Sequence, residues 1–125
     1  MSTRVSKLAS VIVPVADQDL AVRFYTETLG LEKRSDVPFG GGRWIEVAPP
    51  GAETSIAICP PGPGVAPGKD TGISLATDDA DAYHALLKDR GADVDAEVSR
   101  FGEGAPPLFW LRDPEGNTLM VAEVR

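Results

Sequence analysis

Residues 10–20 of this chain, SVIVPVADQDL, have a counterpart 62 positions later in residues 72–82, GISLATDDADA. Each stretch combines an alternating apolar segment, an acidic turn and the start of a helical pattern. A second pair follows in the same order, WIEVAPPG at 44–51 and FWLRDPEG at 109–116, with an offset of 65 positions. Two matched segments at nearly one offset indicate an internal duplication. We therefore expect the functional site to lie where the two copies face each other.

The hydrophobic periodicity of each copy predicts one strand, one helix and then three further strands. In the first copy a helix begins after Asp17 and ends at Gly30, and the strands lie near 8–15, 31–37, 43–48 and 54–59. In the second copy the helix covers about 79–90, and the strands lie near 71–77, 93–99, 107–112 and 117–124. The predicted fold class is therefore α+β, built from two βαβββ modules.

A stretch rich in proline and glycine at 60–70 separates the copies, since it suits neither a helix nor an interior strand. We expect a single domain over residues 1–125, a length that is ordinary for one domain. Module one then covers about 5–60, the linker about 60–70 and module two about 71–125.

Composition excludes several classes of partner. A formal net charge of −7 argues against nucleic acid, which needs a clustered basic surface. Apolar runs are too short to span a bilayer, so no membrane partner is expected. Cys59 is the only cysteine, which fits a reducing compartment, and the start of the chain lacks a signal-peptide pattern. We therefore predict a cytoplasmic protein.

Two further motifs carry a family resemblance. Residues 13–25, VPVADQDLAVRFY, and the later Leu29-Gly30-Leu31 resemble the opening of the glyoxalase/bleomycin-resistance/dioxygenase superfamily, which has the vicinal oxygen chelate fold. Residues 109–117, FWLRDPEGN, resemble its closing motif, so the resemblance covers essentially the whole chain. It implies mixed sheets that curl into a cup and a homodimer. The superfamily contains isomerases, dioxygenases, thiol transferases and antibiotic-binding proteins, so function must be argued from the site.

The resemblance also implies where a metal would bind. Metal-dependent members use one ligand on the first and one on the last strand of each module. Carried over to this sequence, these positions are Ser10, Ala57, Gly72 and Met120. Alanine and glycine have no side-chain donor, methionine offers a soft thioether, and serine is a poor neutral ligand. We therefore expect no metal and no other cofactor.

The remaining titratable groups form no recognisable catalytic arrangement. His84 is expected on the solvent side of its helix, and Asp113 and Asn117 belong to a tight turn. Glu46 could face the cup, although a position at an edge or a dimer surface is favoured. Alternation directs Cys59 into the cup, where a buried apolar thiol is expected to be inert.

Strand alternation predicts a cup lined by small and apolar side chains, with a few aromatic and polar groups. The predicted ligand-binding residues are Phe39, Trp44, Glu46, Ala57, Cys59, Ser10, Ser74, Trp110, Arg112 and Met120. The resemblance places Trp110 at a position that faces the ligand in related resistance proteins. Such a lining suits a small hydrophobic or aromatic molecule held by stacking and burial, for example an antibiotic.

Three functional hypotheses remain open at this point. The favoured one is a metal-independent binding protein that sequesters a drug or antibiotic, rather than an enzyme. The alternative is a metal-independent lyase or isomerase that uses Glu46, Arg112 or Cys59. The third is a partner-binding remnant with an empty cup.

Overall fold

The structure is a computed structural model that describes residues 3–124. The chain divides after Pro60 into two compact units. The first unit contains β1 (Ser10–Pro14), α1 (Gln18–Arg23), a π-helical segment (Phe24–Thr28), β2 (Glu32–Phe39), β3 (Gly42–Ala48) and β4 (Ser55–Cys59). The second contains β5 (Asp70–Thr77), α2 (Ala80–Asp89), β6 (Asp93–Val94), β7 (Leu108–Arg112) and β8 (Thr118–Glu123). Among these residues, no helix has the length and hydropathy that crossing a membrane requires.

Each unit forms one four-stranded mixed sheet. Sheet 1 has the order β1-β4-β3-β2 and sheet 2 the order β5-β8-β7-β6. The first strand of each unit pairs in parallel with the last, and the other pairings are antiparallel. The predicted α+β class with two βαβββ modules is confirmed.

One face of sheet 1 packs against its helix. Asp17 caps α1 by accepting a hydrogen bond from the Leu20 amide at 3.0 Å. An ion pair of 2.7 Å from Arg43 on β3 to Asp19 on α1 shows which face of β3 turns toward the helix. Alternation places the fully buried Ile45 on that same face. The buried residues of this core are Val13, Val15, Ala21, Tyr25, Leu29, Ile45, Val47, Ile56 and Ile58.

Sheet 2 packs against α2 in the same way. Phe109 of β7 is fully buried, and its ring lies 5.0 Å from the His84 ring in an edge-on contact. His84 Nε2 also lies 2.7 Å from the Asp95 carbonyl oxygen. The expectation that His84 faces solvent is therefore wrong. Its ring lies on the apolar side of α2, where the Asp95 carbonyl satisfies one ring nitrogen that burial would otherwise leave unpaired.

Two elements differ from their predicted form. The second half of the first helix is π-helical, with the Leu29 amide donating to the Phe24 carbonyl at 3.0 Å. The strand predicted near 93–99 is reduced to Asp93–Val94. Beyond Val94, the Trp110 backbone N–H donates to the Asp95 carboxylate at 3.0 Å. A longer strand pair would use this N–H for a bond to a backbone carbonyl.

The turn between β7 and β8 explains the closing sequence motif. Asp113 accepts the amides of Glu115 at 2.9 Å and Asn117 at 3.0 Å, and the Asn117 amide group donates back to it at 2.9 Å. Asn117 also accepts the Gly68 amide at 2.8 Å, which attaches the end of the linker to this turn. Both Asp113 and Asn117 are buried, so the motif is a structural one, as predicted.

Candidate functional site

The face of each sheet turned away from its own helix is called here its far face. On sheet 1 the strand registers join far-face partners in rows, because directly paired residues share a face. The rows are Ser10–Ser55, Ile12–Ala57–Glu46–Ser35, Pro14–Cys59, Trp44–Val37, Gly42–Phe39 and Glu32–Ala48. The six residues predicted for the first module, Ser10, Phe39, Trp44, Glu46, Ala57 and Cys59, therefore all lie on this one face.

Glu46 is the charged residue in the central row of this far face. Its carboxylate accepts the Trp44 indole N–H at 2.8 Å and the Ser55 hydroxyl. These two bonds, with that of Ser55 contributing most, hold the pKa of Glu46 below its ordinary value despite partial burial. The placement of Glu46 at a sheet edge is wrong, because β3 is an interior strand between β4 and β2. Its placement at a dimer surface stays a prediction. Ser55 was missed, although it precedes Ala57 by two residues and alternation assigns it to the same face.

Cys59 lies on the same far face, as alternation predicts, and is 6% exposed. Burial raises the pKa of its thiol, and the negative charge of Glu46 raises it further. A thiol held in its protonated form is a poor nucleophile. This environment therefore disfavours covalent chemistry at Cys59.

The β2–β3 hairpin carries the two aromatic side chains of sheet 1. Phe39 is 56% exposed, and its ring meets the Trp44 ring edge-on at a centroid distance of 5.3 Å. The adjacent Gly42 lacks a side chain for a steric reason, since an added Cβ would overlap the Pro60 ring. The Gln18 amide group fastens this end of the hairpin. It accepts the Arg43 amide at 3.1 Å and donates to the carbonyls of Arg43 and, at 3.0 Å, Ile58.

Sheet 2 has an aromatic side chain at the centre of its far face. Trp110 on β7 is half-buried and alternates with Phe109, which faces α2. Its partner on β8 is Met120, which pairs in turn with Ser74 on β5. Trp110, Met120 and Ser74 thus form one row of a polarisable, largely apolar surface.

Arg112 shares the far face of sheet 2 with Trp110 but is engaged by two carboxylates. Its guanidinium donates to Asp93 and to Asp95, each at 2.9 Å. These hydrogen bonds, the one to Asp93 first, raise the pKa of Arg112 further above its usual range. Asp95 accepts the Trp110 amide as well, so it fixes both neighbours. Two carboxylates therefore fix the Arg112 guanidinium, and its role is mainly structural.

The two sheets show which positions of the repeat are equivalent. The central rows of far-face partners are Ile12–Ala57–Glu46 in sheet 1 and Ser74–Met120–Trp110 in sheet 2. Ile12 and Ser74 are separated by the 62 positions of the repeat. It follows that Glu46 and Trp110 occupy equivalent positions.

The sequence overlay of 44–51 on 109–116 is therefore wrong by one residue. It matches Trp44, which lies on a far face, with Phe109, which is buried against α2. Side chains alternate along a strand, so a slip of one residue exchanges the two faces. Ile45 is the equivalent of Phe109, and both are fully buried.

The positions that the resemblance implies for metal ligands lie in regular strands, with one exception. Gly72 falls where the β5–β8 register is interrupted, between Asp70 and Ser74, and it has a φ of +73°. The glycine present offers no side-chain ligand. Any other residue at this position would strain the backbone. Within residues 3–124, no three His, Cys, Asp or Glu side chains are grouped in a way that could hold a metal.

All ten predicted site residues thus fall on the two far faces, six on sheet 1 and Ser74, Trp110, Arg112 and Met120 on sheet 2. Their exposure differs widely, from the fully buried Ala57 to the exposed Phe39. That these residues bind a ligand stays a prediction.

The profile of a protein family described as the Glyoxalase/Bleomycin resistance protein/Dioxygenase superfamily matches residues 7–121. A relative from Bacillus subtilis (strain 168), the uncharacterized protein YetH, is 29% identical over 123 residues. The match covers 95% of this chain and 99% of YetH.

Solved structures give the same fold at higher identity. TnmS3, described as an antibiotic binding protein from Streptomyces sp. CB03234, is 35% identical with a TM-score of 0.86, covering 99% of this chain and 100% of that one. A superfamily member from Sphaerobacter thermophilus DSM 20745 is 35% identical with a TM-score of 0.88, covering 96% of this chain and 98% of that one.

Proposed function

The chain belongs to the Glyoxalase/Bleomycin resistance protein/Dioxygenase superfamily, and within it we propose that this protein binds a small aromatic molecule, such as an antibiotic, and holds it unchanged. The observation that carries the proposal is the composition of the far faces. Each combines a tryptophan with small or apolar residues: Trp44 shares the far face of sheet 1 with Ala57 and Cys59, and Trp110 pairs with Met120 on sheet 2. Such surfaces favour a flat apolar ligand through stacking and burial.

The polar groups of the far faces support binding rather than turnover. Burial keeps the Cys59 thiol protonated, and two carboxylates hold Arg112. The pKa of Glu46 is lowered by its hydrogen bonds, and a carboxylate of lowered pKa is a weaker general base. None of the three residues in the competing lyase or isomerase hypothesis is therefore activated for its task.

The antibiotic-binding description of TnmS3 supports the same reading, since its 35% identity extends over nearly the whole chain. Sequestration would act by stoichiometric capture of the compound. The homodimer implied by the family resemblance and a metal-free site are parts of this proposal.

The test is titration with a panel of planar antibiotics, with quenching of tryptophan fluorescence as the measure of binding. Mass spectrometry of the released compound then distinguishes capture from conversion. We expect saturable binding and recovery of unchanged compound, with protection of a sensitive cell limited to one molecule per site. Product in excess of one equivalent per subunit would favour the lyase or isomerase. If no member of the panel binds, the far faces are not a ligand site and the proposal fails.

A further inference from the structure

We propose that the far face of sheet 1 selects ligands that carry a positive charge next to a flat ring system. In this arrangement the Glu46 carboxylate receives the cation, and the edge-on pair of Trp44 and Phe39 contacts the ring. The inference rests on the proposed function, because it names the chemical class of ligand that the same site would take.

The Glu46 carboxylate has unused capacity to accept hydrogen bonds. An ionised carboxylate offers about four lone-pair sites. Trp44 donates to one of its oxygens and Ser55 to the other, so each oxygen retains a free site. Fixed at both oxygens, the carboxylate is oriented before any ligand arrives, which lowers the entropic cost of binding.

The charge of Glu46 is also not neutralised by an ion pair. Among residues 3–124, the carboxylates that form ion pairs within 4.0 Å do not include Glu46. Arg34 attracts it only electrostatically, since that guanidinium donates to Glu32 and to the carbonyls of Pro49 and Ala52. Glu32, which pairs with Ala48 on the same face, is already engaged by Arg34, whereas Glu46 has no such ion pair in the described part of the chain and could pair with a ligand cation.

The surroundings strengthen that attraction. Glu46 pairs directly with Ala57, which is fully buried, and Cys59 on the same face is 6% exposed. Apolar neighbours lower the local dielectric constant, so a charge pair formed there is stronger than one in open water. The hydrogen bonds that lower the pKa of Glu46 keep it ionised at neutral pH. A net charge of −7 on the chain further raises the local concentration of cations.

The aromatic pair supplies the second part of the recognition. The bond from its indole N–H to Glu46 fixes the orientation of Trp44, and Phe39 is in edge-on contact at 5.3 Å. The N–H edge of the indole ring is thereby held beside the carboxylate. A cation over this ring gains from the quadrupole of the indole as well as from the charge of Glu46.

The experiment compares two ring systems of nearly the same shape, acridine and the aminoacridinium ion. At mildly alkaline pH the first is neutral and the second is still protonated. Affinities are measured by fluorescence for the wild type, Glu46→Gln and Trp44→Ala. Glu27→Gln is the matched control, since it removes one charge from an exposed position on the helical side of sheet 1. Circular dichroism and the melting temperature confirm folding of every variant.

We expect the wild type to bind the cation about tenfold more tightly than acridine, because this is the gain expected from one charge pair that solvent partly screens. Glu46→Gln should abolish this preference, Glu27→Gln should retain it, and Trp44→Ala should weaken both probes. Equal affinities in the wild type, failure to bind the cation, or an unchanged preference in Glu46→Gln would each overturn the cation proposal. The proposed function is tested separately: if Trp44→Ala still weakens acridine, or the antibiotic panel binds, that function stands without a cation requirement.

Discussion

Glu46 in the first unit and Trp110 in the second stand at the same position of the repeat, one as an anion and the other as an aromatic ring. Each is the β3 or β7 member of the central far-face row of its sheet. The residues beside them in the rows, Ala57 and Met120, also differ. The two copies thus share a strand arrangement but present different chemistry at the same position of the repeat.

Trp110 should be the main aromatic contact of the second unit. We expect Trp110→Ala to cost about 2–4 kcal/mol of binding free energy for a planar antibiotic, because a central aromatic anchor dominates such surfaces. The control is Leu86→Ala, which shortens an exposed side chain on α2, on the other side of sheet 2. Titration by calorimetry measures both. Equal affinity of Trp110→Ala and wild type would remove Trp110 from the site.

Replacing Ser55 with alanine should destabilise the protein by about 1–2 kcal/mol at neutral pH, because a charged carboxylate loses a hydrogen bond. The pKa of Glu46 is lower in the folded protein than its ordinary value. Stability linked to it is therefore complete above the ordinary pKa and is lost as the pH falls through the lowered folded pKa. The difference between Ser55→Ala and wild type should accordingly shrink in acid.

Urea unfolding at a series of pH values measures this difference. Ser10→Ala is the control, since Ser10 is the cross-strand partner of Ser55 on the same face. A loss in Ser55→Ala that stays the same at every pH would show that the hydroxyl does not act through the Glu46 carboxylate.

The turn at Asn117 should matter for stability and not for binding. Asn117 is 1% exposed and bonds to Asp113 and to the Gly68 amide, so Asn117→Ala removes hydrogen bonds from a buried turn. We expect a loss of about 2–3 kcal/mol in free energy of unfolding. Pro114→Ala, at an exposed position of the same turn, should change it by much less. If Asn117→Ala is as stable as wild type but loses ligand affinity, the turn has a functional role.

Metal removal should have no effect. Because Ala57 and Gly72 offer no side-chain donor, prolonged dialysis against EDTA should leave the melting temperature and ligand affinity unchanged. Elemental analysis of the purified protein checks the same point directly. One equivalent of zinc, nickel, manganese or iron per subunit would contradict it.

The protein should assemble as a homodimer. Light scattering at micromolar concentration is expected to give twice the 13.2 kDa mass of the chain. β2 is an edge strand with exposed Val37 and Phe39, and unpaired edges with apolar side chains favour association. Val37→Lys should weaken the dimer if this edge takes part, whereas Glu53→Lys, in an exposed loop, should not. A single-chain mass for the wild type would refute the assembly.

Much of the fold could be predicted because each unit repeats strong local signals. Asp17 and Asp79 cap their helices, and Gly30 and Gly91 follow the helices with φ of +87° and +80°. The length of β6 could not be predicted, since the Trp110 amide donates to the Asp95 side chain in place of a backbone carbonyl, and the two residues are distant in sequence. The correct repeat offset of the later strands could not be predicted either. The sequence overlay aligns Trp44 with Phe109, and the similarity of these two aromatic residues conceals that one lies on a far face and the other faces a helix.

The site was predictable to the level of which strand face each residue takes. Alternation alone assigns Ala57, Cys59 and Trp110 correctly to the far faces. The burial of His84 and the engagement of Arg112 by Asp93 and Asp95 depend on contacts between separate elements. Periodicity contains no information about such contacts.

Gln18 couples the opening of the hairpin that carries Phe39 and Trp44 to the start of α1. Its amide group bonds to Arg43 at the start of β3 and to Ile58 in β4, while its backbone begins α1. The hairpin therefore cannot separate from β4 at this end without breaking bonds at the start of the helix. Local unfolding of the two segments becomes one cooperative event. We therefore expect the Arg43 amide proton, which bonds to Gln18, to exchange with solvent only when that event occurs.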